Sequence, residues 1–249
     1  MSAAALDLML RALRLPSVLN EYQRMAKRAS SENWGYEEYL QALIEQESEE
    51  RSKRRVKRLL KRSGLPDGKN AGTLKMELLP AKIRMVLPNL FDGGFVERAE
   101  NILLFGLPGR GKTHLAAAIG HELIARHALP VLFTSTFLLV QKLLVAKSEL
   151  RIEKAFAQLD KYQVIILDDI GYVQQTREEM EILFTFLAER YERKSLIVTS
   201  NLVFSEWDRI FKDPMTTAAA IDRLVHHSTI LEMTGESYRM LQAKGTAEN

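Results

Sequence analysis

The chain has 249 residues, 46% of them hydrophobic and 27% charged, with no cysteine and a net charge of +3. That length holds one large domain or two smaller ones, and the composition is that of a globular chain rather than a disordered one. The missing cysteine excludes disulfides, thiolate zinc sites, iron–sulfur clusters and thiol nucleophiles. No apolar run approaches the roughly 18 residues of a transmembrane helix. The first residues, with Asp7, Arg11 and Arg14 at helical spacing, lack the ordered regions of a signal peptide.

The first third reads as helices. Leu6, Met9, Leu10 and Leu13 share one face of a helix that Pro16 ends. Ser17 is placed to cap a second helix carrying Leu19, Tyr22, Met25 and Ala26 inward. The segment 33–35 breaks that pattern, and a long helix follows over 36–62, with Gly64 as its stop and Pro66 just beyond. The irregular stretch 64–94, rich in Gly and Pro, reads as a linker holding a short helix over 75–86. After Glu100 the period changes. Strands are expected at 101–105, 130–136, 163–167, 195–200 and 228–233, and helices at 113–127, 137–147, 177–193 and 216–227. That alternation predicts an α/β fold, a doubly wound parallel sheet. The expected division is a small all-α domain over 1–66, a linker over 67–98 and the α/β domain over 99–249.

Charge is distributed unevenly. Residues 1–100 hold 18 Lys and Arg against 14 Asp and Glu, and eight of the twelve residues 51–62 are basic. At about 100° per residue, Arg51, Arg54, Arg55, Arg58 and Arg62 fall in one arc of a helix. Lys53, Lys57 and Lys61 take a second face, and Val56, Leu59 and Leu60 a third. Glu47, Glu49 and Glu50 stand four residues before Arg51, Lys53 and Arg54, the favourable order for helical ion pairs. Arg55, Arg58 and Arg62 have no such acid. Three uses fit the stripe: DNA phosphates, an acidic surface on another subunit, or a plain solvated face. The first is favoured, because arginine forks bind phosphate oxygens bidentately without reading bases. Duplex DNA is then bound with little sequence preference by Arg51, Arg54, Arg55, Arg58 and Arg62, with Lys57 and Lys61 beside them.

Gly106 to Thr113 (GLPGRGKT) satisfies G-x-x-x-x-G-K-[ST] between an apolar strand and an apolar-faced helix. Such a loop turns backbone N–H groups onto phosphate oxygens, and the following helix adds its dipole. The expected cofactors are ATP and Mg²⁺. Gly106, Leu107, Pro108, Gly109, Arg110, Gly111, Lys112, Thr113 and His114 are the candidate nucleotide-binding residues. Lys112 is expected to bridge the β- and γ-phosphates, and Thr113 to offer its hydroxyl to Mg²⁺. The strand at 164–167 ends in Asp168 and Asp169. Asp168 fits the Mg²⁺ side, and Asp169 stands where ATP-hydrolysing proteins usually carry a glutamate that polarises water. Its side chain is one methylene shorter, so hydrolysis is less assured than binding. Asn201 ends the strand expected beside the P-loop strand, with its amide near the γ-phosphate. His114 reads as packed near the phosphates. His226 and His227 are adjacent, cannot share a helix face, and have no evident further zinc ligands.

These residues carry a family resemblance. From Phe105 to Met240 the chain resembles the IstB-type ATPases, helper proteins of bacterial insertion-sequence transposition, which group with bacterial helicase loaders among AAA+ proteins. The matching stretches are GKTHLA (111–116), LDDIGY (167–172), TSN (199–201) followed by Glu206 and Trp207, DRLVHHS (222–228) and GESYR (235–239), with Arg190, Tyr191 and Glu192. The N-terminal helices look like that family's DNA-binding domain. The resemblance implies an AAA+ core, without a separate C-terminal lid because few residues follow the last strand. It implies a homo-oligomer assembled with ATP, in which Arg223 of one subunit completes its neighbour's site; Arg239 is a weaker second candidate. It also implies a bacterial cytoplasmic protein associated with the nucleoid, with duplex DNA and a transposase as partners and no membrane. The competing readings are a replicative helicase loader, an ATP-dependent scaffold that hydrolyses little, and a small-molecule kinase, which would leave Asn201 and Arg223 without a role.

Overall fold

Pro16 stands in the first turn of the second helix, where a missing N–H costs nothing. In a computed structural model describing residues 3–171, 176–207 and 214–234, it separates α1 (Ala3–Ala12) from α2 (Pro16–Ser31), and α3 (Tyr36–Ser63) follows. The chain divides into two compact units, Met1–Arg58 and Leu59–Asn249, with the boundary inside α3.

In the first unit Leu10, Val18 and Leu43 form a small core, with Leu15, Leu19, Tyr22, Met25 and Tyr39 packed on it. Two expectations are corrected here. Leu10 is buried, but Leu6, Met9 and Leu13 are exposed, as is Ala26, because so small a unit offers too little surface to cover a whole apolar face. Ser17 is not the cap of α2, and no side chain of the preceding residue takes that role. The Glu47 carboxylate from α3 does instead, accepting the N–H groups of Ser17 at 2.7 Å and Val18 at 3.4 Å. Orphan N–H groups at a helix start favour an anion, whichever element supplies it.

The second unit holds a five-stranded parallel sheet in the order β2-β3-β4-β1-β5. Its strands are β1 (Asn101–Phe105), β2 (Val131–Ser135), β3 (Val164–Ile170), β4 (Ser195–Ser200) and β5 (Ser228–Glu232). The connecting helices are α6 (Lys112–His127), α7 (Thr136–Ser148), α8 (Ile152–Leu159), α9 (Arg177–Arg190) and α10 (Pro214–Val225). β4 lies between β3 and β1, so the strand ending at Asn201 is beside the P-loop strand, as expected. β1, β3 and β4 are apolar and almost wholly buried, the signature of a parallel sheet covered on both faces.

The short helix expected at 75–86 is shifted. Residues 71–73 and 76–78 form single 3₁₀ turns, and α4 (Ala81–Asp92) starts only after Pro80, with α5 (Gly94–Glu97) behind it. Pro80 stands at the position just before the first turn, where a missing N–H costs nothing, and the helix runs on through Pro88. Helix α8 was not expected, although Ile152, Ala155, Phe156 and Leu159 have helical spacing. Residues 67–98 belong to the second unit, where Ile83, Leu87 and Leu90 are buried and α4 packs on α6. Arg239, Tyr172 and the segment on which the missing lid was argued lie outside the described residues. No described helix is long and apolar enough to cross a membrane.

Candidate nucleotide site

The loop between β1 and α6 is shaped by close backbone approach. Gly106 has φ 148°, and a Cβ there would fall 2.5 Å from the Met233 carbonyl oxygen. That carbonyl follows β5, whose pairing with β1 continues through Met233 N–H onto Phe105 O at 2.7 Å. Gly109 and Gly111 also have positive φ, 82° and 87°, and α6 starts directly after them, so its free N–H groups face the loop's interior.

Lys112 is only 6% exposed, and a buried ammonium needs acceptors. It donates to Gly106 O at 2.5 Å, Leu107 O at 3.0 Å and Asn201 Oδ1 at 2.5 Å. Asn201 in turn donates from Nδ2 to Asp169 Oδ1 at 2.8 Å. Three residues separated widely in sequence thus form one chain of hydrogen bonds from the start of α6 to the ends of β4 and β3.

Thr199 ties the acidic pair together. Its hydroxyl donates to Asp168 Oδ1 at 2.8 Å and accepts the Asp169 N–H at 2.8 Å. Asp169 adopts φ 63°, a conformation that costs a non-glycine residue energy, where the pairing of β3 with β4 shifts register between Leu167 and Ile170. Burial, then the neighbouring Asp168 charge, push the Asp169 carboxyl above its ordinary pKa, while Lys112 pulls the other way. A carboxyl pushed upward holds a proton more readily, which suits a group that takes one from water.

Around these groups lies a cavity of about 590 Å³, within the usual range for small-molecule sites. Residues 108–114, Asp169, Thr199, Asn201 and Thr234 form its polar walls. Its other wall comes from the 3₁₀ segment: Lys69, Leu74, Lys75, Leu78 and Leu79. That apolar wall suits a nucleobase beside the phosphate loop, and the sequence carried no periodic signal for it. His114 also lines the cavity, and its Nε2 lies 3.1 Å from Thr73 Oγ1 and 3.3 Å from Asn70 O, latching the 3₁₀ turn to α6. Burial chiefly lowers its pKa, which favours a neutral latch. Arg110 donates to Met233 O at 3.3 Å, and Leu107 is exposed.

The other candidate residues fall elsewhere. Arg223, on α10, does not line this chain's own cavity. Its guanidinium stacks over the Phe184 ring at 4.4 Å, and its buried Nη1 has no hydrogen-bond partner among the described residues. The arginine stripe of α3 separates into two groups. Arg51 donates to Arg14 O at 2.9 Å and meets Glu47 at 3.4 Å, and Arg54 reaches Ser17 Oγ at 3.1 Å and Glu47 at 3.0 Å. Arg55, Lys57, Arg58, Lys61 and Arg62 are exposed, with no ion pair or side-chain hydrogen bond among the described residues.

Comparison with known proteins places this geometry. The family of IstB-like ATP binding proteins matches residues 8–247. An insertion sequence ATP-binding protein of Sinorhizobium fredii is 45% identical over 96% of this chain and 80% of its own length. Among solved structures, the replication initiator DnaA bound to AMPPCP and single-stranded DNA superposes with a TM-score of 0.59 at 16% identity, over 75% of this chain and 56% of that one. The DnaC helicase loader does so with 0.52 at 20% identity, over 61% and 89%. At those identities the two structures speak for the fold alone.

Proposed function

The chain belongs to the family of IstB-like ATP binding proteins, and from that premise we propose that it binds ATP with Mg²⁺, hydrolyses it, and uses it to assemble on duplex DNA for a transposase. The hydrogen-bonded chain from Lys112 through Asn201 to Asp169, inside a cavity walled by the phosphate loop, carries the reading. The Gly106 cradle, which a side chain would fill, and the buried Lys112 suit a polyphosphate. Thr113 and Asp168 suit Mg²⁺: a hydroxyl at a helix start and a carboxylate that accepts from Thr199 rather than pairing with a cation. Bound there, the ion neutralises phosphate charge.

The chain's own residues do the rest. The γ-phosphate takes the place of Asn201 on the Lys112 ammonium, and the freed amide orients the attacking water. Asp169, with its raised pKa, accepts the proton. Arg223 leaves Phe184 and reaches the γ-phosphate of a neighbouring subunit, where its charge stabilises the transition state. Assembly lines up the free cations of α3 along a duplex, and multivalency turns weak phosphate contacts into tight binding.

Phosphate release measured with and without duplex DNA tests this reading. The wild-type chain is expected to turn over ATP and to form larger particles with ATP and DNA. Lys112→Ala loses both, with release reduced at least about a hundredfold. No ATP binding in the wild type, or a monomer under all conditions, defeats it. One observation favours a second reading: the short Asp169 carboxylate is already bound by Asn201, which suits an ATP-dependent scaffold with little hydrolysis. DNA-dependent assembly with no phosphate release selects that reading. Preference for single-stranded over duplex DNA selects a helicase loader.

A further inference from the structure

Adjacent histidines on a helix point apart, but α10 ends at Val225, so His226 and His227 lie in the turn before β5. There their rings approach edge to face, with centroids 4.2 Å apart. Glu192 comes from another part of the unit, the turn after α9, where it holds φ 55°. That turn is closed by the N–H groups of Arg193 and Lys194 on Arg190 O, both at 3.1 Å. Glu192 Oε1 lies 3.8 Å from His226 Nδ1 and 3.6 Å from His227 Nε2, and one donor atom from each of the three residues falls within 4.8 Å of the others.

We propose that Glu192, His226 and His227 form a binding site for a divalent transition-metal ion of the zinc class. Two neutral imidazoles and one carboxylate are the borderline donor set that Zn²⁺ prefers, whereas Mg²⁺ and Ca²⁺ favour all-oxygen shells. Donors about a metal at roughly 2 Å stand a little over 3 Å apart, so the site closes with small side-chain rotations. All three residues are exposed, which gives an ion access and leaves a coordination position for water or a donor from another molecule. Tyr191 completes the surroundings. Its hydroxyl is 3.0 Å from His226 Nδ1. When an ion takes Nδ1, the hydroxyl turns to Glu192 and holds that ligand in place, as outer partners of metal ligands commonly do. The three ligands join the ends of α9 and α10 to the start of β5, three residues beyond Arg223.

Isothermal titration of the untagged full-length chain with ZnCl₂ alone tests the site. The wild type is expected to bind one equivalent, undisturbed by excess Mg²⁺. His227→Ala and Glu192→Gln each weaken that binding about a hundredfold or more, since even outer-shell changes cost ten- to a hundredfold. Glu192→Gln keeps size and backbone, so loss there reports the carboxylate and not the fold. Asp168→Asn keeps the equivalent. The proposal fails if the wild type binds no zinc, if both His227→Ala and Glu192→Gln bind it unchanged, or if only Asp168→Asn abolishes it.

Discussion

The nucleotide cavity and the second half of α3 both concentrate charge, and they treat it in opposite ways. In the cavity Lys112, Asp168 and Asp169 each have defined partners, because a desolvated charge without one costs several kcal/mol. The fold therefore fixes where those groups point. On α3 the sequence divides within four residues. Arg51 and Arg54 are drawn onto the buried Glu47, and from Arg55 onward the cations of α3 are exposed and make no ion pair among the described residues. Basic residues that look equivalent on a helical wheel thus do different work. The first two hold three helices together, and the later ones are available to an outside anion.

Charge reversal probes that division hardest. Arg55→Glu combined with Arg58→Glu is expected to lower duplex affinity about a hundredfold and to flatten the slope of log affinity against log salt by about two. ATP affinity and thermal stability stay at the wild-type level. Filter binding at several salt concentrations measures this, and unchanged affinity removes α3 from the DNA surface. Arg51→Ala with Arg54→Ala makes the converse control: it lowers the melting temperature of the first unit more than it lowers DNA affinity.

On the cavity side, Thr199 is a positioning residue that the sequence did not single out, although it opens the Thr-Ser-Asn stretch. Thr199→Val keeps the shape but leaves the Asp168 oxygen and the Asp169 N–H without their shared hydroxyl. Phosphate release is expected to fall about tenfold with little change in KM for ATP. Thr199→Ser should restore it, because the hydroxyl and not the methyl group does the work. A variant that melts early but turns over normally per folded molecule shows Thr199 to be structural only.

The parts legible in the sequence are those where one continuous stretch carries both fold and chemistry. The P-loop has its strand before and its helix after, and the acids at 168 and 169 close an apolar run. Asn201 could be placed only because the order of strands follows from the connections between them. The apolar wall of Leu74, Leu78 and Leu79 was not legible, since 3₁₀ turns have no periodic pattern to read. Glu47 was hidden for another reason. Its helix is polar on most faces, and only the approach of Ser17, thirty residues earlier, turns one of its acids into a buried cap. At His226 and His227 the expected helix ran two residues too far; it ends at Val225, and a ring nitrogen of each histidine lies within 4.8 Å of the Glu192 carboxylate.

Glu47 also supplies the smallest of these effects and the one with a defined sign. Burial alone would raise its pKa, but the N–H groups of Ser17 and Val18, the Ser17 side chain and the Arg54 charge outweigh it and leave the pKa below its ordinary value. A carboxylate whose pKa is lowered on folding contributes stability above the unfolded value, near 4.3, and loses it as pH falls through the folded value. At pH 7 the contribution is whole, about 1 kcal/mol for a charged helix cap. It fades as pH falls from the unfolded value through the folded one, so the first unit loses stability over that interval. Glu47→Gln keeps an acceptor for Ser17 but carries no charge. It is expected to be less stable than the wild type at pH 7 and to converge with it toward pH 3, in denaturant melts followed by Trp34 fluorescence. Parallel curves for the two proteins across that range would mean that the buried carboxylate titrates no differently folded than unfolded. The contrast between the anchored and the free arginines would then rest on geometry alone.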